Sequence, residues 1–145
     1  MDTNIRIKMT NKEITAVILK NISKMLFRRK LINDPDKLEK KLVSEIDNQN
    51  NYEFKYGDNS YLVIIRYRNI AGIKKGSDIE DKLLKTKAKY KFLIVENFTN
   101  KTLSQTKDMN AELFAVRNFT HDIIGSSLNP EFQLLTEKEK TELTE

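Results

Sequence analysis

The chain has 145 residues, one His, no Cys and a formal net charge of +5. This length suits one domain with its own hydrophobic core, and the missing cysteines exclude a disulfide framework, a Cys-ligated metal and a thiol nucleophile. A lone His argues against a zinc site, so we expect neither a metal nor a cofactor. No apolar stretch approaches the ~20 residues of a membrane span, and residues 1–10 contain no signal-peptide core. These features predict a protein of a reducing intracellular compartment that does not bind membranes.

Charge is unevenly distributed along the chain. Residues 1–45 contain 11 basic and 6 acidic side chains, residues 46–110 contain 12 and 8, and residues 111–145 contain 3 and 7. A basic body followed by an acidic end is consistent with a polyanionic partner such as nucleic acid.

The first predicted helix begins at a capping box, Thr10-Asn11-Lys12-Glu13, in which hydroxyl and carboxylate each accept from the other residue's amide. Apolar residues between Ile14 and Leu26 recur at helical spacing and predict a buried stripe. Basic residues recur every four positions on another face: Lys20, Lys24 and Arg28. That pattern is typical of a solvated face and also of a phosphate-facing stripe, and the sequence leaves both open.

A second helix and a hairpin follow. Asn33-Asp34-Pro35 supplies an N-cap and a proline at the first helical position, and the helix is predicted to run to about Asp47. The segments Tyr52 to Tyr56 and Ser60 to Tyr67 have strand composition, and the turn Gly57-Asp58-Asn59 between them predicts a β-hairpin.

A strand–helix–strand unit comes next. Ser77-Asp78-Ile79-Glu80 has the spacing of a second capping box and predicts a helix. That helix leads into Phe92-Leu93-Ile94-Val95, a continuous apolar run typical of a strand buried on both faces. We therefore expect this central strand to pair parallel with Ser60 to Tyr67 through a right-handed connection.

The remaining elements are shorter. A helix capped by Thr102 is predicted to end near Met109, and Glu112 to Phe119 is predicted as a fourth strand. Pro130 to Leu135 is predicted as extended chain, and Thr136 to Glu139 as a third capping box. The predicted fold class is α/β: a three-layer-like domain whose central mixed sheet of about four strands is flanked by helices.

One pattern could carry catalysis. Glu53-Phe54-Lys55 places a carboxylate and an ammonium group on one face of a strand. With an upstream acid, here Asp47, such a pair can hold Mg²⁺ and orient a water, as in nucleases with an Asp…Glu-x-Lys site. The strand Ser60 to Tyr67 lacks the second acid that such a site needs, so a Mg²⁺-dependent nuclease stays the alternative function. His121 is interpreted as a local hydrogen-bonding residue.

Lysines are dense between residues 74 and 91. Lys74 and Lys75 lie in a loop between two glycines, and further lysines follow at Lys82, Lys85, Lys87, Lys89 and Lys91. If several lie together, they would contact phosphates without reading bases. A solubilising lysine-rich helix has the same pattern, so both interpretations stay open.

Six segments follow one another in an order that is informative as a set. The segments are Phe92-Leu93-Ile94-Val95, Thr99-Asn100-Lys101-Thr102, Lys107-Asp108-Met109, Asn118-Phe119-Thr120-His121, Leu128-Asn129-Pro130-Glu131 and Leu135-Thr136-Glu137-Lys138-Glu139. In this order of segments, rather than in one motif, the chain from about Asn11 to Glu142 resembles the fifth subunit of the eukaryotic nuclear RNA polymerases. The chain departs from the family at Asn100, where the family usually has Pro.

This resemblance implies that residues 1–135 form the family's N-terminal jaw domain, which is similar in fold to restriction-endonuclease-like domains but is not known to cut DNA. Residues 136–145 would begin a C-terminal assembly domain that is otherwise missing. The implied role is a non-catalytic subunit in the lower jaw of a DNA-dependent RNA polymerase, located in the nucleus, or in a virus factory if viral.

The implied partners are the largest polymerase subunits and downstream duplex DNA, with no small-molecule ligand. The family's DNA-proximal loop corresponds to Thr99 through Thr102, which adds two residues to the lysines above. The candidate DNA-facing residues are Lys74, Lys75, Lys82, Lys85, Thr99 and Lys101, and no catalytic residue is expected.

Overall fold

The computed structural model describes residues 10–47 and 49–120. Helices α1 and α2 come first and are followed by strands β1 and β2, after which helices and strands alternate. The bounds are α1 Asn11–Arg28, α2 Pro35–Ser44, β1 Asn51–Tyr56, β2 Asn59–Ile70, α3 Asp78–Lys85, β3 Tyr90–Phe98, α4 Asn100–Asp108 and β4 Ala111–Ala115.

The four strands form one mixed sheet in the order β1-β2-β3-β4. β1 pairs antiparallel with β2 through the tight hairpin turn, whereas β2, β3 and β4 run parallel. The pairing of β2 with β3 shifts register between Arg66 and Asn69. The α/β fold class, the hairpin and the parallel pairing of the central strand are therefore confirmed.

Side chains of alternate residues build a core on each face of the sheet. Val63, Ile65 and Ile94 point to the face covered by α1 and α2, and Ile64 and Leu93 point to the face covered by α3. The apolar run from Phe92 to Val95 is fully buried because it supplies both cores. This is the property predicted for the central strand.

The first two helix starts follow the predicted chemistry, and the third follows it in part. The Thr10 hydroxyl accepts from the Glu13 amide at 3.1 Å while the Glu13 carboxylate accepts from the Thr10 amide at 2.8 Å. Asp34 caps α2 with Pro35 in its first turn, and α2 ends at Ser44, a few residues earlier than predicted. Ser77 caps α3 by accepting from the Glu80 amide. The return bond of the predicted capping box does not form, because the Glu80 carboxylate accepts from the Gly76 amide instead of the Ser77 amide.

The N-cap of α4 lies three residues earlier than predicted. Thr99 caps this helix by accepting from the Thr102 amide. Thr102 is buried inside the first turn, and its hydroxyl donates to the Ile70 carbonyl at 2.8 Å. The prediction of Thr102 as the cap was wrong because a second threonine three residues upstream has the same capping chemistry.

The fourth strand is shorter than predicted. β4 ends at Ala115, and the backbone from Arg117 to Thr120 is helical. Val116 and Phe119 both enter the core beneath α1, a three-residue spacing that a helix satisfies and a strand does not. His121, the extended segment 130–135, the capping box 136–139 and the boundary at 135/136 lie outside the described residues.

Candidate nucleic-acid interface

The parallel strands β2 and β3 end together at one edge of the sheet, where Ile70 is paired with Phe98. The loop 71–77 leaves β2 at this edge, and α4 begins there with a single residue, Thr99, between it and the end of β3. In open α/β sheets, ligands characteristically bind at the carboxyl ends of parallel strands. The topology therefore favours a binding surface at this edge.

Side chains of α4 hold the loop 71–77 in place. Gln105 makes a reciprocal pair of hydrogen bonds with the backbone of Ile73: its carbonyl oxygen accepts at 2.6 Å, and its amide nitrogen donates at 3.0 Å. The Thr99 hydroxyl donates to the Ala71 carbonyl at 3.1 Å. These contacts fix the loop backbone against the helix, so the side chains on the loop project from a defined support.

Four cations line one cleft of about 930 Å³ at this edge. They come from three different elements and are Arg68, Lys74, Lys75 and Lys101. Within residues 10–47 and 49–120, no carboxylate forms a salt bridge with any of them. The lining acid Glu80 already accepts the Gly76 amide. The described lining thus holds four cations and one acid, so the cleft carries a net positive charge.

Gly72 gives Lys101 the space to lie across this loop. A Cβ atom at Gly72 would lie 3.3 Å from Cδ of Lys101 and 3.6 Å from its Nζ. A methyl group at this position would require the lysine stem to shift by a few tenths of an ångström. The close approach thus joins α4 and the loop 71–77 into one basic surface.

Two predicted DNA-facing lysines lie elsewhere. Lys82 and Lys85 form ion pairs with Asp78 and Asp81 one helical turn earlier, at 3.8 and 3.6 Å. They line a second cleft together with Glu53 and other residues of mixed charge. The six predicted residues are therefore only partly brought together, since Lys74, Lys75 and Lys101 share a cleft whereas Lys82 and Lys85 face carboxylates. Thr99 lies beside the basic cleft and uses its hydroxyl as a helix cap.

Arg68 was not among the predicted DNA-facing residues, and Lys91 has a role that the lysine spacing did not indicate. Arg68 is exposed beside the register shift of β2 and lines the basic cleft. The signal for it was an Arg at the polar end of an otherwise apolar strand. Lys91 instead donates from Nζ to the carbonyls of Leu83 and Met109, each at 2.9 Å, so its charge is engaged inside the fold.

The three residues of the alternative nuclease site do not converge. Asp47 accepts from the amides of Gln49 and Asn50 and lines a cleft beside the start of α1. Glu53 lies in a different cleft and accepts from the Thr86 hydroxyl at 2.7 Å. Lys55 lies on exposed edge strand β1. Within the residues that the structure describes, no group of three or more His, Cys, Asp or Glu side chains is arranged to hold a metal ion.

Arg66 of β2 is half-buried and makes contacts with both α3 and the loop before β1. Arg66 donates to Oδ2 of Asp78 at 2.7 Å and to the carbonyl of Gln49 at 3.0 Å. The hydrogen bond from Arg66 lowers the pKa of Asp78 below its usual 3.8. This contact ties the start of α3 to the loop before β1, so it serves the fold rather than the basic cleft.

Comparison with known proteins gives no relative from which a role could be transferred: no family model matches the chain, and no curated protein matches it significantly. Among the described helices, none combines the length and the apolar character needed to cross a bilayer.

Proposed function

We propose that this chain is a non-catalytic subunit of a DNA-dependent RNA polymerase that contacts downstream duplex DNA through backbone phosphates. The observation that carries the proposal is the basic cleft formed by Arg68, Lys74, Lys75 and Lys101 at the carboxyl edge of the sheet. Neighbouring cations from separate elements suit a line of phosphates better than they suit a small anion.

The chemistry of the cleft supports contact with the backbone rather than with bases. Lysine and arginine side chains neutralise phosphates without sequence information, and base readout needs groups that enter a groove. The cleft is formed by the end of β2, a loop and a helix start, and its lining within the described part of the chain contains no aromatic side chain on which bases could stack. We therefore expect salt-sensitive binding with little sequence preference.

The polymerase assignment rests on the resemblance in segment order. The loop that the family places near downstream DNA corresponds to Thr99 through Thr102, which in this chain form the N-cap and first turn of α4. Lys101 of this turn lines the same cleft as Lys74 and Lys75. Two independent lines, family order and local charge, thus point to one surface. The proposed partners are the largest polymerase subunits and downstream duplex DNA.

Affinity purification of the full-length gene product from its source cells tests the polymerase assignment. We expect the two large polymerase subunits to co-purify in near-stoichiometric yield, with mass spectrometry as the readout. A different stoichiometric partner, recovered without these subunits, would refute the assignment even if the chain binds DNA.

Duplex binding at several salt concentrations tests the phosphate-contact part. Each lost phosphate contact reduces the slope of log K against log salt by about 0.9, so the double variant Lys74→Ala/Lys75→Ala should lower it by roughly 2. The matched control Lys82→Ala/Lys85→Ala removes the same charge from sites that already face carboxylates, and it should change the slope much less. Equal effects of the two double variants would exclude the cleft as the interface.

The same preparation tests the nuclease alternative. We expect no Mg²⁺-dependent cleavage of duplex DNA by the intact chain. Cleavage that disappears in Glu53→Ala would replace the proposed function by the nuclease.

A further inference from the structure

A groove separate from both clefts lies between α1 and β4, on the sheet face opposite α3. Its floor is apolar and consists of Met25, Phe114 and Phe119, with the two rings in edge-to-face contact at 5.0 Å. Met25 and Phe114 are only partly buried. The floor therefore offers apolar surface that a ligand could cover.

Specific contacts hold α1 against the elements beside the groove. The Asn21 side-chain amide donates to the Phe119 carbonyl at 2.5 Å. Arg29, the residue after Arg28, forms a two-pronged ion pair with Glu112 of β4, with N–O distances of 2.8 and 2.9 Å. The helix between Asn21 and Arg28 is about 10 Å long. The groove thus has room for a few residues of extended chain and not for a whole helix.

The rim of the groove on α1 is basic. Lys24 and Arg28 are exposed, lie one helical turn apart and line the groove. No salt bridge to either is formed by any residue of segments 10–47 and 49–120. Among the described residues, no acidic side chain lines this groove. Lys20 continues the same four-residue spacing but lies outside the groove.

We propose that this groove binds a short acidic segment of a partner protein, which inserts one apolar side chain onto the floor and sets carboxylates against Lys24 and Arg28. Charge complementarity selects an anionic ligand. The apolar floor favours a peptide over duplex nucleic acid, because the bases of a duplex are stacked on one another and its phosphates alone would leave the floor hydrated. This surface is separate from the basic cleft, so the inference stands or falls independently of DNA binding.

Fluorescence anisotropy with a labelled peptide Asp-Glu-Phe-Glu-Asp and the full chain tests the proposal. We expect saturable binding with a Kd on the order of 100 µM, as suits a small contact area. Lys24→Glu and Arg28→Glu should each weaken binding about tenfold, whereas the matched control Lys20→Glu should weaken it less than about twofold. Both substituted positions are exposed, and thermal melts would verify that each variant stays folded.

Methyl NMR locates the peptide. The chain has four methionines; Met25 lines the groove, and Met109 packs against the opposite core and serves as an internal control. The peptide should shift the Met25 methyl signal and leave that of Met109 in place.

Several results would overturn the proposal. One is absence of saturable binding; another is equal affinity for a peptide with Ala in place of Phe, because the floor would then contribute nothing. Equal losses in Lys20→Glu and Lys24→Glu would indicate a diffuse electrostatic surface. Displacement of the peptide by duplex DNA, with the same response to the three variants, would assign the groove to nucleic acid.

Discussion

Lys91 connects the carboxyl-terminal ends of two helices that flank one face of the sheet. Its ammonium group donates to the carbonyl of Leu83 in the last turn of α3 and to that of Met109, the C-cap of α4. Carbonyls at helix ends lack partners within the helix, and a cation there also interacts favourably with the helix dipole. Replacing Lys91 by Met keeps most of the stem and removes both hydrogen bonds.

The expected cost follows from these two contacts. A hydrogen bond to a charged group contributes roughly 1.5–3 kcal/mol. Lys91 is only partly buried, so water can reach the freed carbonyls, and we take the lower part of the range. At about 1.5 kcal/mol for each of the two bonds, the Lys91→Met variant should lose about 3 kcal/mol of unfolding free energy, which lowers Tm by about 10 °C for a domain of this size.

Urea unfolding followed by circular dichroism measures this loss. Lys87→Met is the matched control, because Lys87 is exposed and its side chain makes no hydrogen bond or ion pair within the described residues; its unfolding free energy should change by less than about 0.5 kcal/mol. Equal stability of the two variants would refute the structural role assigned to Lys91. Lys91→Met should also leave the salt dependence of DNA binding unchanged while the protein is folded.

Three further predictions concern stability. Hydrogen bonding to Arg66 lowers the pKa of Asp78 in the folded protein, so this contact stabilises the fold above the unfolded-state pKa of Asp78 and loses its effect as pH falls below about 4. The unfolding free energy between pH 6 and pH 2 should therefore fall more steeply for the wild type than for Asp78→Asn. Parallel curves for the two proteins would contradict this prediction. Burial raises the pKa of Tyr67 to about 12, so Tyr67 loses its hydroxyl proton at a lower pH in the unfolded chain than in the folded protein. The unfolding free energy, measured by denaturant melts at increasing pH, should therefore decline from pH 10 upward, and it should decline less for Tyr67→Phe. Asn118→Ala removes the acceptor of the Ala115 amide at edge strand β4 and should lower the unfolding free energy in urea melts by about 1 kcal/mol. An unchanged unfolding free energy would show that water replaces this acceptor fully.

The basic cleft was only half visible in the sequence. Adjacent Lys74 and Lys75 in a glycine-flanked loop indicated a cluster, but nothing local indicated that Arg68 and Lys101 join them. That assembly depends on the parallel pairing of β2 with β3, and Gly72 leaves room for Lys101 to lie close to the loop. The same limit explains Lys82 and Lys91, because a lysine's spacing does not say whether a carboxylate or a carbonyl will meet it.

Local chemistry determined much of the secondary structure. The caps at Thr10, Asp34 and Ser77 followed from side chains within three residues of the amides they accept from, and the apolar run from Phe92 to Val95 specified a strand buried on both faces. Such features depend on neighbouring residues alone, so the sequence contains all the information needed. Only the tertiary structure decided where β4 ends and which cations share a surface, because those outcomes depend on contacts between residues far apart in the chain.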